Sequence, residues 1–298
     1  MTANQYTRRS ELALSIRQGQ QRSVIDDVHF TAPFKLTNPF YSDDGTIEVM
    51  LISVSAGIMA GDDQLIDLRI GDGASARVTS QAFEKIHRMD CGGYAKRETI
   101  VEVGTNAQLI YMPLPVIPFA DSDYQAQTTI SLAGTSSCLA YGEIISCGRA
   151  SREERFAYRR FANRVRVNVA GDLAYSDNTV FSPREHDMEG LTLYEGYTHM
   201  GSLILFGWPE FIPALEYMRK ECVQFPGMAG VSENAFGGFG LRTLSQGFEP
   251  ALRFQESIIN VLNETRVAQD TGGGGVNVGP SYASGRGKLP GKPDQHRT

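Results

Sequence analysis

The chain has 298 residues, 41% of them hydrophobic and 9% aromatic, with 28 basic against 34 acidic side chains and a net charge of −6. That length and apolar content suit one large or two ordinary globular domains with a sizeable core, and the acidic balance excludes a general nucleic-acid binder held by phosphate contacts. No apolar run reaches membrane-spanning length and the polar start MTANQYTRRSELALSIRQGQ has no signal-peptide core, so a cytoplasmic protein without a membrane partner is expected.

Along the chain, Glu48 to Val54 (EVMLISV) and Gln64 to Ile70 (QLIDLRI) place an aliphatic residue at nearly every second position, the period of a half-buried strand. Between them lies SAGIMAGDD, Ser55 to Asp63. A turn accounts for it, since Gly57 and Gly61 permit positive φ and Asp is a common turn former. The alternative is that the glycines bring the backbone close to something that Asp62 faces. A rhythm follows: LRIGDGASARVTSQ from Leu68, VEVGTNAQLIYMP from Val101 and ISLAGTSSCLAYGE from Ile130 each run strand, Gly-containing turn, strand, at intervals of roughly 30 residues. That spacing predicts hairpins laid successively along a β-layered, coiled architecture. Pro113 to Tyr124 (PLPVIPFADSDY) carries three prolines, which exclude helix and central strand pairing. It is expected to be extended and irregular, either tucked into the core or presented to a partner. Gly148 to Val167 holds seven arginines against Glu153 and Glu154, which reads as a solvated strand face or a docking surface for an acidic partner rather than an RNA site.

The last third changes character. Gly201 to Phe206 reads as a buried strand, and Pro209 opens a helix with Phe211, Leu215, Met218 and Cys222 on one face. Residues 226–240 read as a loop, Leu241 to Leu244 as a short strand, and Pro250 opens a second helix with Ile258, Ile259 and Leu262 inward. From Thr271 the Gly/Pro/Ser-rich tail lacks periodicity and is expected to be disordered. The organisation expected is a β-rich body over residues 1–200, a strand–helix–strand–helix part of the same domain over 201–270, and the tail over 271–298.

Self-sufficient chemistry is hard to find. The cysteines form no CxxC pair: Cys138, Cys147 and Cys222 sit in apolar patterns as small buried hydrophobes, and Cys91 sits in a Gly-rich turn open to solvent. There is no GxxxxGK[ST] cradle for a nucleotide and no GxSxG elbow. The histidines share no HxH or HExxH spacing. His186 in REHDME could join Asp187 and Glu189 around a metal, although a solvated loop fits better, and His87 has no nucleophile to serve. What remains is a set of isolated acids: Asp62 and Asp63 after the glycine turn, Glu84 in TSQAFEKIHR, Glu143 inside the apolar LAYGEIISCGR, and Asp177 in AYSDNTVF. An unpaired buried carboxylate is costly, so Glu143 needs a partner, a water-filled channel or a raised pKa. A hydrolase using Asp62 and Glu143 as an acid/base pair is one reading. A tight metal store is another, but it lacks clustered His and Cys.

SAGIMAGDD, TSQAFEKIHR, PLPVIPF and EIISCGRASREE, in that order and at that spacing, resemble the urease accessory protein family UreD/UreH. The likeness is closest to the UreH branch, with PFKLTNPFY at Pro33 to Tyr41 and EGYTH at Glu195 to His199. It spans about residues 20 to 265 and is densest from Pro33 to Glu154. Two positions depart from the family pattern: its more usual Gly-Gly is Ala56-Gly57 here, and the position before Lys85, often small, is Glu84. The resemblance implies a mainly β fold, with strands in a helical, layered arrangement of antiparallel sheets and two α-helices near the C-terminal end. It implies a non-catalytic scaffold that binds UreF and, through it, the GTPase UreG, and docks on the urease apoprotein. A dimer of heterotrimers with no tightly bound cofactor follows, nickel being only in transit. It further implies that Asp62, Glu84, Glu143 and Asp177 line a water-filled nickel passage, Glu84 on a variable position. Isolated carboxylates in series suit a conducted ion, because a nitrogen and sulfur cluster would hold nickel rather than release it.

Overall fold

Aliphatic side chains at every second position make strands wherever the sequence shows them, and the chain winds those strands into a coil. The computed structural model describes residues 9–208 and 212–270, apart from the side chains of Cys91, Ile212, Pro213 and 265–270. The expected tail at 271–298 and the expected helix start at Pro209 and Phe211 lie outside the described residues. The strands are β1 (Ser10–Gln18), β2 (Ser23–Phe30), β3 (Phe34–Leu36), β4 (Phe40–Tyr41), β5 (Ile47–Ser53), β6 (Asp63–Ile70), β7 (Ser75–Ser80), β8 (Glu84–Ile86), β9 (Ala95–Val103), β10 (Gln108–Met112), β11 (Val116–Pro118), β12 (Asp123–Leu132), β13 (Cys138–Ser146), β14 (Arg160–Val169), β15 (Asp172–Phe181), β16 (His199–Phe206), β17 (Gly227–Glu233) and β18 (Phe239–Ser245), with helices α1 (Ile212–Gln224) and α2 (Phe248–Asp270).

These strands form two mixed sheets. In the first, β1, β6, β9, β12 and β14 run parallel, edged by antiparallel β2 and β15. In the second, β5, β7, β10 and β13 run parallel, and the sheet continues through antiparallel β16, β18 and β17. The three strand–turn–strand repeats are therefore not hairpins, and the layers are not purely antiparallel. Each of β6–β7, β9–β10 and β12–β13 crosses from the first sheet to the second, making a solenoid-like coil. Every strand in these repeats has an apolar face turned to the other sheet, and β10 and β13 have a second one under the helices. Crossing between sheets lets those faces meet, whereas a hairpin would leave them side by side and open. Successive coils stack in register, with Leu14, Leu68, Val101, Ile130 and Val167 in one row. The turns stack too: the Gln108 N–H donates to Ala74 O and the Cys138 N–H to Ala107 O, both at 2.8 Å.

Two other expectations change. The proline segment does pair, through β11, which lies parallel to β8 and touches β13 at Val116 and Ile145. Proline lacks a donor but keeps its carbonyl, and Pro115 O accepts the Glu84 N–H at 3.0 Å. Pro115 and Pro118 are buried, so the segment is tucked in rather than presented. The expected loop at 226–240 contains β17, an edge strand whose glycines hide its alternation and whose pairing is supplied by β18.

Three apolar clusters hold the coil. Leu14, Leu68, Val101, Leu109, Leu139 and Phe206 pack between the sheets. Ile110, Leu205, Met218, Ile258, Ile259 and Leu262 pack where α1 and α2 cover the outer face of the second sheet. Ile86, Tyr124, Ile145, Tyr158, Phe161 and Tyr194 close the far end. Burying each large side chain of this kind stabilises by about 1.5–3 kcal/mol. Cys138 and Cys147 are buried, Cys222 is half-buried against the helical cluster, and the side chain of Cys91 lies outside the described ones. Among the described residues no helix is long and apolar enough to cross a membrane.

His199 opens β16 against Phe248 of α2, with ring centroids 6.4 Å apart. It is 8% exposed, and burial pushes its pKa from 6.5 down to about 4. Between those two values the unfolded chain binds a proton that the folded chain refuses, so stability is full above 6.5 and falls as pH drops. Urea melts from pH 7 to 4 are expected to show a loss of about 3 kcal/mol from this residue, and His199→Gln removes that component of the slope.

Candidate functional site

The coil interior is apolar at its two ends and polar between them. Along β12 the inward residues run Tyr124, Ala126, Thr128, Ile130 and Leu132, and along β14 they run Phe161, Asn163, Val165, Val167 and Val169. Pairing register stacks Gln64, Arg97, Ala126 and Asn163 in one row across the first sheet. The second sheet turns Tyr111, Tyr141 and Glu143 toward that row. Between them is a cavity of about 140 Å³ whose wall includes Glu84, Arg97, Tyr111, Tyr141, Glu143 and Asn163. That is room for several waters, and the polar wall supplies their partners. Ser55, Ala56 and Ala82 also line the cavity and are exposed, so it reaches the surface between these loops.

Each carboxylate on this wall is engaged. Glu84 Oε2 accepts a bond from Arg97 Nη2 at 2.6 Å, and Arg97 Nε and Nη2 also donate to Gln64 Oε1 at 2.9 and 2.5 Å. Burial alone would lower the Arg97 pKa; the Glu84 charge and hydrogen bond outweigh it and hold the guanidinium above its ordinary value. Glu143 accepts from the Tyr141 hydroxyl at 2.6 Å and from Asn163 Nδ2 at 2.9 Å. Burial raises the Glu143 pKa, and these bonds together with the Arg242 charge only partly offset it. Burial also raises Tyr111 to about 12, so it stays a neutral hydroxyl. Asn163 Oδ1 is buried with no hydrogen-bond partner. The donors turned inward are thus carboxylate, phenol and amide oxygens, which suit a hydrated cation without gripping it.

Asp177 is not on the cavity wall. It lies on β15, half-buried, where its carboxylate accepts bonds from Arg242 Nη2 and from Thr179 Oγ1. Its charge and that of Arg242 both act on Glu143. Asp62 is elsewhere. Its Oδ2 accepts the Met59 N–H at 2.8 Å, closing the turn, and it is not on the cavity wall. The close approach in SAGIMAGDD belongs to Gly57, at φ +144°, where a Cβ would lie 2.3 Å from Lys85 O; Gly61 takes φ +85° in the turn itself. Asp62 and Glu143 thus share no cleft, and they cannot act together as an acid/base pair.

Sequence reading missed Gln64, Arg97, Tyr141 and Asn163. A signal was available for all four: each has the same phase as buried residues two and four positions away, such as Ile66 and Leu68 for Gln64. The alternative metal group is absent. His186 is exposed, Glu189 is paired with Arg155 at 2.7 Å, and among the described residues no three His, Cys, Asp or Glu side chains are placed to hold a metal.

Removing one partner of a largely buried pair strands the other. Arg97→Met is therefore expected to destabilise by about 2 kcal/mol in urea melts, and adding Glu84→Gln restores most of that loss.

Residues 8–271 match the family described as UreD urease accessory protein. The chain is 39% identical over 265 residues to a urease accessory protein UreH of Helicobacter pylori (strain G27), covering 88% of this chain and 98% of that one. Against UreH of Helicobacter hepaticus the identity is 33% over 85% of this chain and 98% of the relative. Against UreD of Acetivibrio thermocellus it is 30% over 87% and 99% respectively. Coverage this complete, over the whole coil and both helices, makes the chain a member of the UreD urease accessory protein family.

Proposed function

We propose that this chain is a non-catalytic scaffold of urease maturation, acting in the cytoplasm, that passes nickel toward the urease apoprotein through the polar interior of its coil. The observation that carries this reading is the cavity walled by Glu84 and Glu143; on this reading Asp177, whose charge acts on Glu143 from outside that wall, is the next site. Conduction needs sites attractive enough to admit an ion and weak enough to release it, arranged in series. Oxygen donors alone bind nickel less firmly than imidazole or thiolate. Arg97 and Arg242 weaken the sites further, because an entering cation competes with a guanidinium already paired to each outer carboxylate.

The relatives are named as urease accessory proteins, and the rest of the assembly is our reading. The chain binds UreF and through it the GTPase UreG, as half of a dimer of heterotrimers, and the whole docks on the urease apoprotein. The sequence has no phosphate cradle, which fits a scaffold whose partner hydrolyses GTP.

The test is Glu143→Ala combined with Asp177→Ala, co-expressed with UreF, UreG and urease. Complex assembly on size exclusion is expected to be intact, while the nickel content of the matured urease falls by at least about half. Normal loading by an intact complex would end the passage. Asp62→Ala serves as the contrast: closing a turn away from the cavity, it is expected to cost about 1 kcal/mol of stability and to leave nickel loading unchanged.

A further inference from the structure

The outward face of β14 carries a second surface, independent of the nickel passage. Of the seven arginines in Gly148 to Val167, Arg149 pairs with Glu154, Arg155 with Glu189, Arg159 donates to Gly93 O, and Arg152 is exposed in the short turn before β14. Arg160, Arg164 and Arg166 are exposed and, among the described residues, meet no carboxylate in an ion pair. They point the same way, since the alternate residues Phe161, Asn163 and Val165 are turned into the core. Strand geometry spaces Arg164 and Arg166 by roughly 7 Å and the whole row by roughly 20 Å.

The surroundings make this more than a solvated strand. The flanking strands are nearly neutral at these rows: Gln127 and Asn178 beside Arg164, Thr129 and Ser176 beside Arg166, with Asp123 opposite Arg160 alone. Acids on the same face are held apart on β6 and β9 and are already engaged, Asp63 by Lys96 and Arg9, Glu98 by Arg9, Asp67 by Arg69. Adjacent like charges on one strand face repel, so segregating them costs stability unless something arrives to neutralise them. A concavity of about 580 Å³ opens beside the row, with Arg160, Arg164 and Asn178 on one wall and, toward β9, Lys96 with the ion-paired Asp63 and Glu98 on the other; Arg166 lies beyond its rim.

We infer that this face is a docking surface for an extended, acidic segment of a partner protein. Guanidinium groups take carboxylates in bidentate forks. Carboxylates on alternate residues of an extended chain repeat at the same roughly 7 Å as Arg164 and Arg166. A nucleic acid fits less well. The acids of β9 lie two strands away, about 10 Å, so a broad polyanion crossing the face meets them while a narrow segment along β14 does not.

The test uses the full chain and a fluorescent peptide of alternating Glu and Ser, followed by anisotropy. Binding is expected to weaken with salt and to fall at least about tenfold in R164Q/R166Q. In R164E/R166E the preference is expected to invert, so that a Lys-Ser peptide binds at least about tenfold more tightly than it binds the unaltered chain. Both positions are exposed, and thermal melts check that the variants fold. Glu-Ser binding unchanged by either double substitution overturns the surface. So does a single-stranded oligonucleotide of equal charge that binds more tightly than the peptide and is lost with the same substitutions.

Discussion

In-register stacking of one coil on the next governs what this molecule can place in its interior. Every inward position becomes part of a row that crosses the core, and most rows are uniformly apolar, as at Leu14, Leu68, Val101, Ile130 and Val167. The row of Gln64, Arg97, Ala126 and Asn163 breaks that pattern. A charge in such a row is largely removed from bulk water and gains from a partner across the coil. Arg97 finds Glu84, and Asn163 finds Glu143. The cavity and its polar wall lie where that row and its neighbour, which carries Thr99 and Thr128, interrupt the apolar stacking, and burial there raises the Glu143 pKa.

The alternation that makes this coil was plain in the sequence; how its strands meet was not. LRIGDGASARVTSQ has the same local pattern whether its two strands pair with each other or cross between sheets, because the choice depends on where two apolar faces find each other. The same long-range term decides β17, whose Gly227 and Gly230 blur its alternation until β18 lies beside it. At the site, Glu143 was legible because an acid within so apolar a run needs an explanation. Arg97 and Asn163 were not singled out, although their phase turns them inward, since polar residues near strand starts usually face solvent. Asp62 drew attention through its glycines, yet the turn itself uses its carboxylate on the Met59 N–H.

For the proposed nickel passage, the pairing of Glu84 and Asp177 with guanidinium groups has a consequence. Glu84 and Asp177 without Arg97 and Arg242 would be free anions, and a divalent ion meeting free carboxylates there would be held rather than moved. With the arginines in place, an ion gains only the difference between its own attraction and the attraction it displaces. Weak sites in series are what a passage requires.

The period of two along a strand lets one segment carry two unrelated tasks. Asn163 and Arg164 are consecutive, yet one is buried at the cavity wall and the other is exposed on the outer face, with the sheet between them. Charge on the outer face is also surrounded by solvent, which screens it within about 10 Å at moderate salt. A partner that neutralises Arg164 and Arg166 would therefore leave Glu143 nearly undisturbed. The proposed docking surface and the proposed ion passage can then vary separately within the ten residues of β14.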